Sequence, residues 1–272
     1  MPDGNASRPI SSEKRTIMQQ RVIPQLQSLP RPVFARSESM DAAMITPYHS
    51  HPWAQLSYAI RGWLSVETEV GNYIAPPQRA IWIPGGIRHQ VISSAGTEMR
   101  GLYLQPGVTP WHAQQCRVLE VSPLIRELIC HFADMRCDYD EQGAEGRLVQ
   151  VLLDQLAAAP EVSLSLPLPH DSRLRQLCQQ LQQQPQNPQT LQQWGEQVGA
   201  SEKTLSRLFL RETGMTFRAW RQRLRLLESL ATLEQGRPVS DAATAAGYES
   251  TSAFIAAFHL HFGQTPGSFF QH

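Results

Sequence analysis

No stretch of the 272-residue chain approaches the roughly 18 consecutive apolar residues of a membrane-spanning helix, so no membrane partner is expected. The first residues, MPDGNASRPISSEKRT, lack the apolar centre of a secretory signal. Residues 1–32 are expected to form a disordered tail and the chain to be cytoplasmic. Cysteine is scarce. Cys116, Cys130, Cys137 and Cys178 show no CxxC or paired spacing and read as reduced thiols, not as a disulfide framework. Net charge is missing as well: 24 Lys and Arg balance 24 Asp and Glu, which argues neither for nor against a nucleic-acid partner. From His170 onward there are ten basic against eight acidic residues, and before it fourteen against sixteen. One cluster is denser, with Arg207, Arg211, Arg218, Arg221, Arg223 and Arg225 inside nineteen residues. Alone, such a run reads as a solvated helical face.

Two differently patterned halves are present. From about Val33 to Leu104, alternation, β-branched residues and Gly/Pro breaks recur at short intervals and predict an all-β barrel or sandwich. From about Pro123 to Ala158, Leu124, Leu128, Ile129 and Phe132 and then Leu148, Leu152 and Leu156 recur at helical spacing. Those helices either cover the open edge of the barrel or pair two copies of the chain. Residues 159–171, with three prolines and little periodicity, are the expected linker. A helix follows from about Ser172 and breaks before Pro185 and Pro188.

The last 75 or so residues carry one pattern twice, at about 190–214 and 239–263: a short apolar-periodic helix, a Gly-containing turn, a Ser at an N-cap position, and a second helix closed by Gly. In the first unit Thr190 and Gln193 have the spacing of a capping box, and Ser201 is the expected N-cap of the second helix. Leu205, Leu208 and Phe209 turn inward, which leaves Glu202, Lys203, Ser206, Arg207 and Leu210 outward. Arg207 has the reach to bond guanine bidentately, and Lys203 can meet guanine or phosphate. Next to such a unit, Arg211, Arg218 and Arg221 become candidate phosphate contacts. In the second unit Ser250 caps a helix whose apolar character lies in Phe254, Phe258, Leu260 and Phe262. Its outward Thr251, Ser252, Ile255 and Ala256 predict weaker base readout, by hydroxyls and by contact with a thymine methyl. The connector Phe217–Glu234 predicts a rigid helix of ~27 Å, close to the ~34 Å between successive major-groove faces.

In the β half, His49-Ser-His51, three residues, Gln55, six residues, Gly62 is followed by Pro84-Gly-Gly86, two residues, His89. On a strand, His49, His51, Trp53, Gln55 and Ser57 share a face. The spacing resembles the two motifs of the cupin fold, with Gln55 where the usual ligand is a carboxylate. The resemblance makes His49, His51, Gln55 and His89 candidate ligands of a divalent transition metal, weakened by the neutral amide. The alternative is a set of hydrogen-bonded histidines in a pocket for a small, partly apolar effector, lined by Trp53, Gln55, Ser57 and His89.

GASEKTLSRLFLRETGMTFRAWRQRLRLLESLATLEQG, then VSDAATAAGYESTSAFIAAFHLHFGQTPGSFF, resembles the DNA-binding domain of the AraC/XylS regulators, most specifically in GQTPGSFF and in the A-x-x-x-G-Y-x-S-x-S-x-F run. In that family the positions of Lys203, Ser206 and Arg207, and of Thr251, Ser252 and Ala256, lie at the DNA. VETEVGNYIAPPQRAIWIPGGIRHQV resembles a subgroup that includes an efflux regulator, which implies control of a neighbouring transporter or efflux gene. The expected architecture is two-domain α+β: a cupin-like sensor over 33–158 and an all-α double helix-turn-helix domain over 172–272. The expected function is effector-responsive, sequence-specific transcription regulation without catalysis. Expected partners are double-stranded DNA, a small-molecule effector, RNA polymerase and a second copy of the chain. The competing reading is a metal-dependent cupin enzyme with a helical appendage.

Overall fold

The structure is a computed structural model and describes residues 18–23, 26–76, 78–108, 115–162 and 164–269. Its N-terminal half is built from two facing sheets. The first runs in the order β1 (Gln19–Gln20), β3 (Met44–Ile45), β8 (His89–Ser93), β5 (Leu64–Thr68), β6 (Gly71–Ala75), β11 (Ser165–Pro167). The second runs β10 (Arg117–Glu120), β7 (Arg79–Ile83), β4 (Ala54–Arg61), β9 (Thr97–Leu104), β2 (Val33–Met40). Leu64, Val66, Ile81, Ile83, Val91 and Met99 fill the space between them.

The second sheet is covered on its other face as well. Helices α1 (Pro123–Asp134) and α2 (Ala144–Ala158) lay Ile129, Phe132, Leu152 and Leu156 onto Leu56, Tyr58, Trp82 and Leu102. Strand β4 is therefore buried on both faces: Leu56 and Tyr58 meet the helices while Gln55 and Ser57 point into the barrel. Helix α1 starts where Ser122 accepts the Ile125 N–H and Pro123 occupies the first turn, where its missing N–H costs no hydrogen bond.

The C-terminal half has α3 (Ser172–Gln183), α4 (Leu191–Val198), α5 (Glu202–Thr213), α6 (Phe217–Glu234), α7 (Val239–Ala245) and α8 (Thr251–Phe262). Their ends follow local chemistry. Thr190 and Gln193 make the reciprocal capping box of α4, and Ser201 and Ser250 cap α5 and α8. The α4–α5 turn packs so tightly that a Cβ on Gly195 would sit 2.3 Å from the Ala200 carbonyl oxygen, so only glycine fits.

Two segments differ from the sequence expectation. The tail expected over residues 1–32 packs on the barrel in its described part: β1 pairs in parallel with β3, Leu29 is buried against Trp53 and Tyr103, and Arg21 forms an ion pair with Glu38. The expected linker is not slack. Its Ser165–Pro167 forms β11, the edge strand beside β6, and Leu164 and Leu166 join one apolar cluster with Leu174, Trp220 and Leu224 of the helical half. Trp220 Nε1 donates to the Pro167 carbonyl at 2.7 Å and Arg223 to that of Ser165 at 3.1 Å. The backbone N–H groups of His170 and Asp171 both donate to Glu212, at 2.9 Å each, and hold its carboxyl below the usual carboxylate range. The same prolines that suppress periodicity also hide a strand that needs only three residues.

Candidate DNA-binding surface and sensor site

Helix α5 buries Leu205 and Phe209 and half-buries Leu208, and it exposes Glu202, Lys203, Ser206, Arg207 and Leu210. Phe209 is locked edge-on against Phe217 and Trp220 at centroid distances of 5.6 and 5.8 Å, which ties the orientation of α5 to α6. Helix α8 buries Phe254, Phe258 and Phe262 and exposes Ser252, Ile255 and Ala256, with Thr251 half-buried at its start. Leu260, expected in the apolar face, is 87% exposed; three phenylalanines at i, i+4 and i+8 already fill the contact with the rest of the domain.

The six arginines divide into two sets. Arg207, Arg211 and Arg218 are exposed. Arg221, Arg223 and Arg225 are half-buried, and each guanidinium is spent on backbone carbonyls: Arg221 on Asn187 and Gln189, Arg223 on Ser165, Arg225 on Pro185. The phosphate contact expected of Arg221 is thus not on offer in this arrangement, because its donors pin the α3–α4 loop. Periodicity places these residues on a helix but says nothing about the carbonyl-rich loop beside it.

The barrel brings His49, His51 and His89 together. One ligand nitrogen from each lies within 4.8 Å of the others. The sequence explains how. The His49 and His89 backbones form a reciprocal antiparallel bridge, with N···O distances of 2.9 and 2.8 Å, and the Gly86 N–H donates to the His51 carbonyl at 2.8 Å. Gly85 allows this approach, since a Cβ there would lie 2.4 Å from the Pro52 carbonyl oxygen. All three Nδ1 atoms are occupied, contacting the carbonyls of Pro47, Trp53 and Ile87 at 3.0, 2.7 and 2.8 Å. An Nδ1–H donating to a carbonyl leaves the Nε2 lone pair free, the tautomer that a metal requires. Burial, with lesser contributions from the other imidazoles, pushes His89 down to about 4 and lowers His49, so both are neutral near pH 7. The Nε2 of His89 is fully buried with no hydrogen-bond partner, an orphaned lone pair that a cation would satisfy. Gln55 lies 2.9 Å from His51 Nε2 and 2.8 Å from the Ser57 hydroxyl. The amide oxygen faces His51 Nε2, and a half-turn of the amide replaces that acceptor with the NH2 donor. The residues present therefore fit a divalent transition ion held by three imidazoles with a weak amide oxygen beside them.

The expected effector pocket is smaller than its residue types suggest. Trp53 and Gln55 line a cavity of about 40 Å³, with Ser57 and His89 buried behind it. That volume suits an ion or water; the sites of drug-sized organic molecules run to roughly 300 Å³ and more. Its mouth opens on a cleft of about 630 Å³ between His49, His51, Trp53 and the N-terminal segment Gln20–Ile23. Tyr103, an aromatic candidate for a pocket wall from its place in the β region, lines the inner cavity, as do Arg21 and Thr46, which carry no signal in the sequence. Among the described residues no helix is long and apolar enough to cross a membrane.

A β-rich sensor ahead of a tandem helix-turn-helix domain defines an effector-responsive, DNA-binding transcription regulator. The family follows from comparison: residues 31–203 match the AraC-like ligand binding domain and residues 194–272 a helix-turn-helix domain, and the chain belongs to the AraC family of transcriptional regulators. The HTH-type transcriptional regulator NimR of Escherichia coli (strain K12) is 36% identical over 226 residues, 83% of this chain and 82% of that protein. RipA of Corynebacterium glutamicum is 34% identical over 103 residues, 38% of this chain and 31% of that protein. The structure of ToxT from Vibrio cholerae aligns with 88% of this chain and 98% of its own at 9% identity, with a TM-score of 0.38. NimR and RipA are both HTH-type transcriptional regulators, which supports regulation over the cupin-enzyme reading.

Proposed function

We propose that this regulator reads operator DNA chiefly through α5, with Arg207 and Lys203 at base edges and Ser206, Arg211 and Arg218 at base or phosphate oxygens. Helix α8 contributes Thr251, Ser252, Ile255 and Ala256, which suit phosphate hydrogen bonds and thymine methyls more than guanine. The observation that carries this is the sorting of side chains on α5: its outward face holds the unburied cations while its inward face is locked to α6. Footprinting of the full chain and of Arg207→Ala on the promoter of its own neighbouring gene tests it. An unchanged footprint would remove α5 as the reader.

The sensor we infer is the histidine trio and the cleft at its mouth. His49, His51 and His89 would hold a divalent transition metal, with Gln55 as weak fourth donor; when bound, the ion supplies positive charge and coordination to an effector seated in the cleft. Among the described residues no carboxylate lines the inner cavity, and Gln55 replaces the expected one, which favours sensing over catalysis. We place the protein in the cytoplasm, where its DNA is. It acts there as a homodimer through α1 and α2, whose Leu124 and Val151 are 53% and 46% exposed, with RNA polymerase as a further partner and a transporter or efflux gene as target. Equilibrium dialysis of the full chain against zinc and nickel, with His89→Ala as comparison, tests the metal. Equal retention by both proteins would sink it.

A further inference from the structure

A crevice of about 200 Å³ lies between the two domains, away from both the DNA surface and the histidine trio. One wall is the outer face of the first sheet, with Trp63 before β5 and Ile74 on β6. The other is α6, with Leu224 and Leu227. Each domain sends one carboxylate into it, Glu67 from β5 and Glu228 from α6. Among the described residues neither has a cationic partner, whereas neighbouring Glu69 meets Arg88 at 3.7 Å. Among the described residues Glu67 accepts the Tyr48 hydroxyl, at 3.3 Å. Glu228 is an exposed residue whose side chain lines the crevice. The other polar groups facing the gap, Ser65, Asn72 and Gln182, are neutral.

Two carboxylates on facing walls of one open gap repel each other, and the repulsion favours a cation between them. The missing component is defined by shape and sign. An apolar ring fits against Trp63, Ile74, Leu224 and Leu227, and a positive group between the carboxylates matches their charge. An anion is repelled, and a neutral polar molecule leaves both charges unmatched. Trp63 adds an aromatic face, which favours a cation further.

We propose that this crevice binds a small organic cation, a ring bearing an amine or amidine, whose charge bridges Glu67 and Glu228 and clamps α6 to the sensor sheet. The ligand touches one element of each domain, so its binding free energy is added to their docking. Consequences of that clamp for operator affinity rest on the regulator reading; the binding itself does not. Desolvation by the surrounding protein and the charge of Glu67 push Glu228 up to about 7, so the site is more fully ionised at pH 8 than at pH 6, and cation binding tightens with pH over that range.

Calorimetric titration of the full chain with benzamidinium, and with benzamide as its uncharged isostere, tests the site. One-to-one binding of benzamidinium, roughly ten-fold or more tighter than benzamide, is expected, and the advantage should vanish in Glu228→Gln and in Glu67→Gln. Glu69→Gln, which removes the same charge two residues from Glu67, should change nothing. Equal affinity for the two compounds, no binding at all, or an undiminished preference in both Gln variants overturns the proposal. Operator affinity with and without saturating benzamidinium reports the clamp separately. If calorimetry succeeds and operator affinity does not move, the clamp's link to DNA is wrong; if the free chain binds no operator, it is the regulator reading that has failed.

Discussion

Arg221→Ala distinguishes a residue that grips DNA from one that grips its own fold. The Arg221 guanidinium donates to the Gln189 carbonyl at 3.0 Å and to that of Asn187, across the loop that delivers the chain from α3 to α4. A hydrogen bond to a charged group contributes roughly 1.5–3 kcal/mol, and two such bonds, half-open to water that can replace them, put the loss at roughly 2–4 kcal/mol. For a chain of this size each kcal/mol lowers Tm by about 2–4 °C, so thermal unfolding of the alanine variant should come roughly 5–15 °C earlier. The slope of log affinity for operator against log salt should stay as it was. Arg218→Ala, one turn back and exposed, should do the opposite: an unmoved Tm, and a salt slope shallower by about 0.9, the share of a single phosphate. Arg221→Lys, which cannot span both carbonyls, should fall between wild type and alanine in Tm. An Arg221→Ala protein with unchanged Tm and a shallower salt slope refutes the reasoning, because the guanidinium would then have to leave the loop for the duplex.

Arg207→Ala should cost about 1–3 kcal/mol of specific affinity and relax base preference at one position of the operator, as read by a binding screen on randomised sites. Gly85→Ala places a methyl 2.4 Å from the Pro52 carbonyl oxygen, so it should lower stability by about 1–3 kcal/mol and weaken metal retention by shifting His51; a variant that keeps both would show that the loop yields freely. His89 titrates at about 4 in the fold against about 6.5 unfolded, so the unfolded chain binds more protons in between. Stability should therefore fall as pH drops from about 6.5 toward 4, and this decline should be smaller in His89→Gln; equal pH profiles for the two proteins would contradict the burial argument.

Local chemistry carried most of what could be read from the residues alone. Helices α4, α5 and α8 begin at Thr190, Ser201 and Ser250 because a cap needs only its own side chain and the N–H three residues on. The convergence of His51, Gln55 and His89 was legible in their spacing, although His49 and His51 precede β4 and are held by backbone bonds to His89 and Gly86, not by strand parity. Non-local pairing was not. Two residues of β1 and three of β11 are too short to leave a period, and their pairing is decided by partners far along the chain. The cavity size was also hidden: which neighbours close a pocket depends on the N-terminal segment, whose sequence reads as a tail. The arginines of α6 show the same limit, because residue type announces charge and not whether a carbonyl already holds it.

The strand between the halves sets a rule for how such regulators can exchange parts. Ser165–Pro167 completes the sensor's sheet along one edge, and its carbonyls receive the Trp220 and Arg223 donors of the reader. A chimera spliced after it would leave those donors facing a foreign surface, and one spliced before it would strip the sheet of its border. Sensor and reader of this chain therefore fit as a matched pair, and a bulkier side chain at Leu166 would have to be met by a smaller one at Leu224.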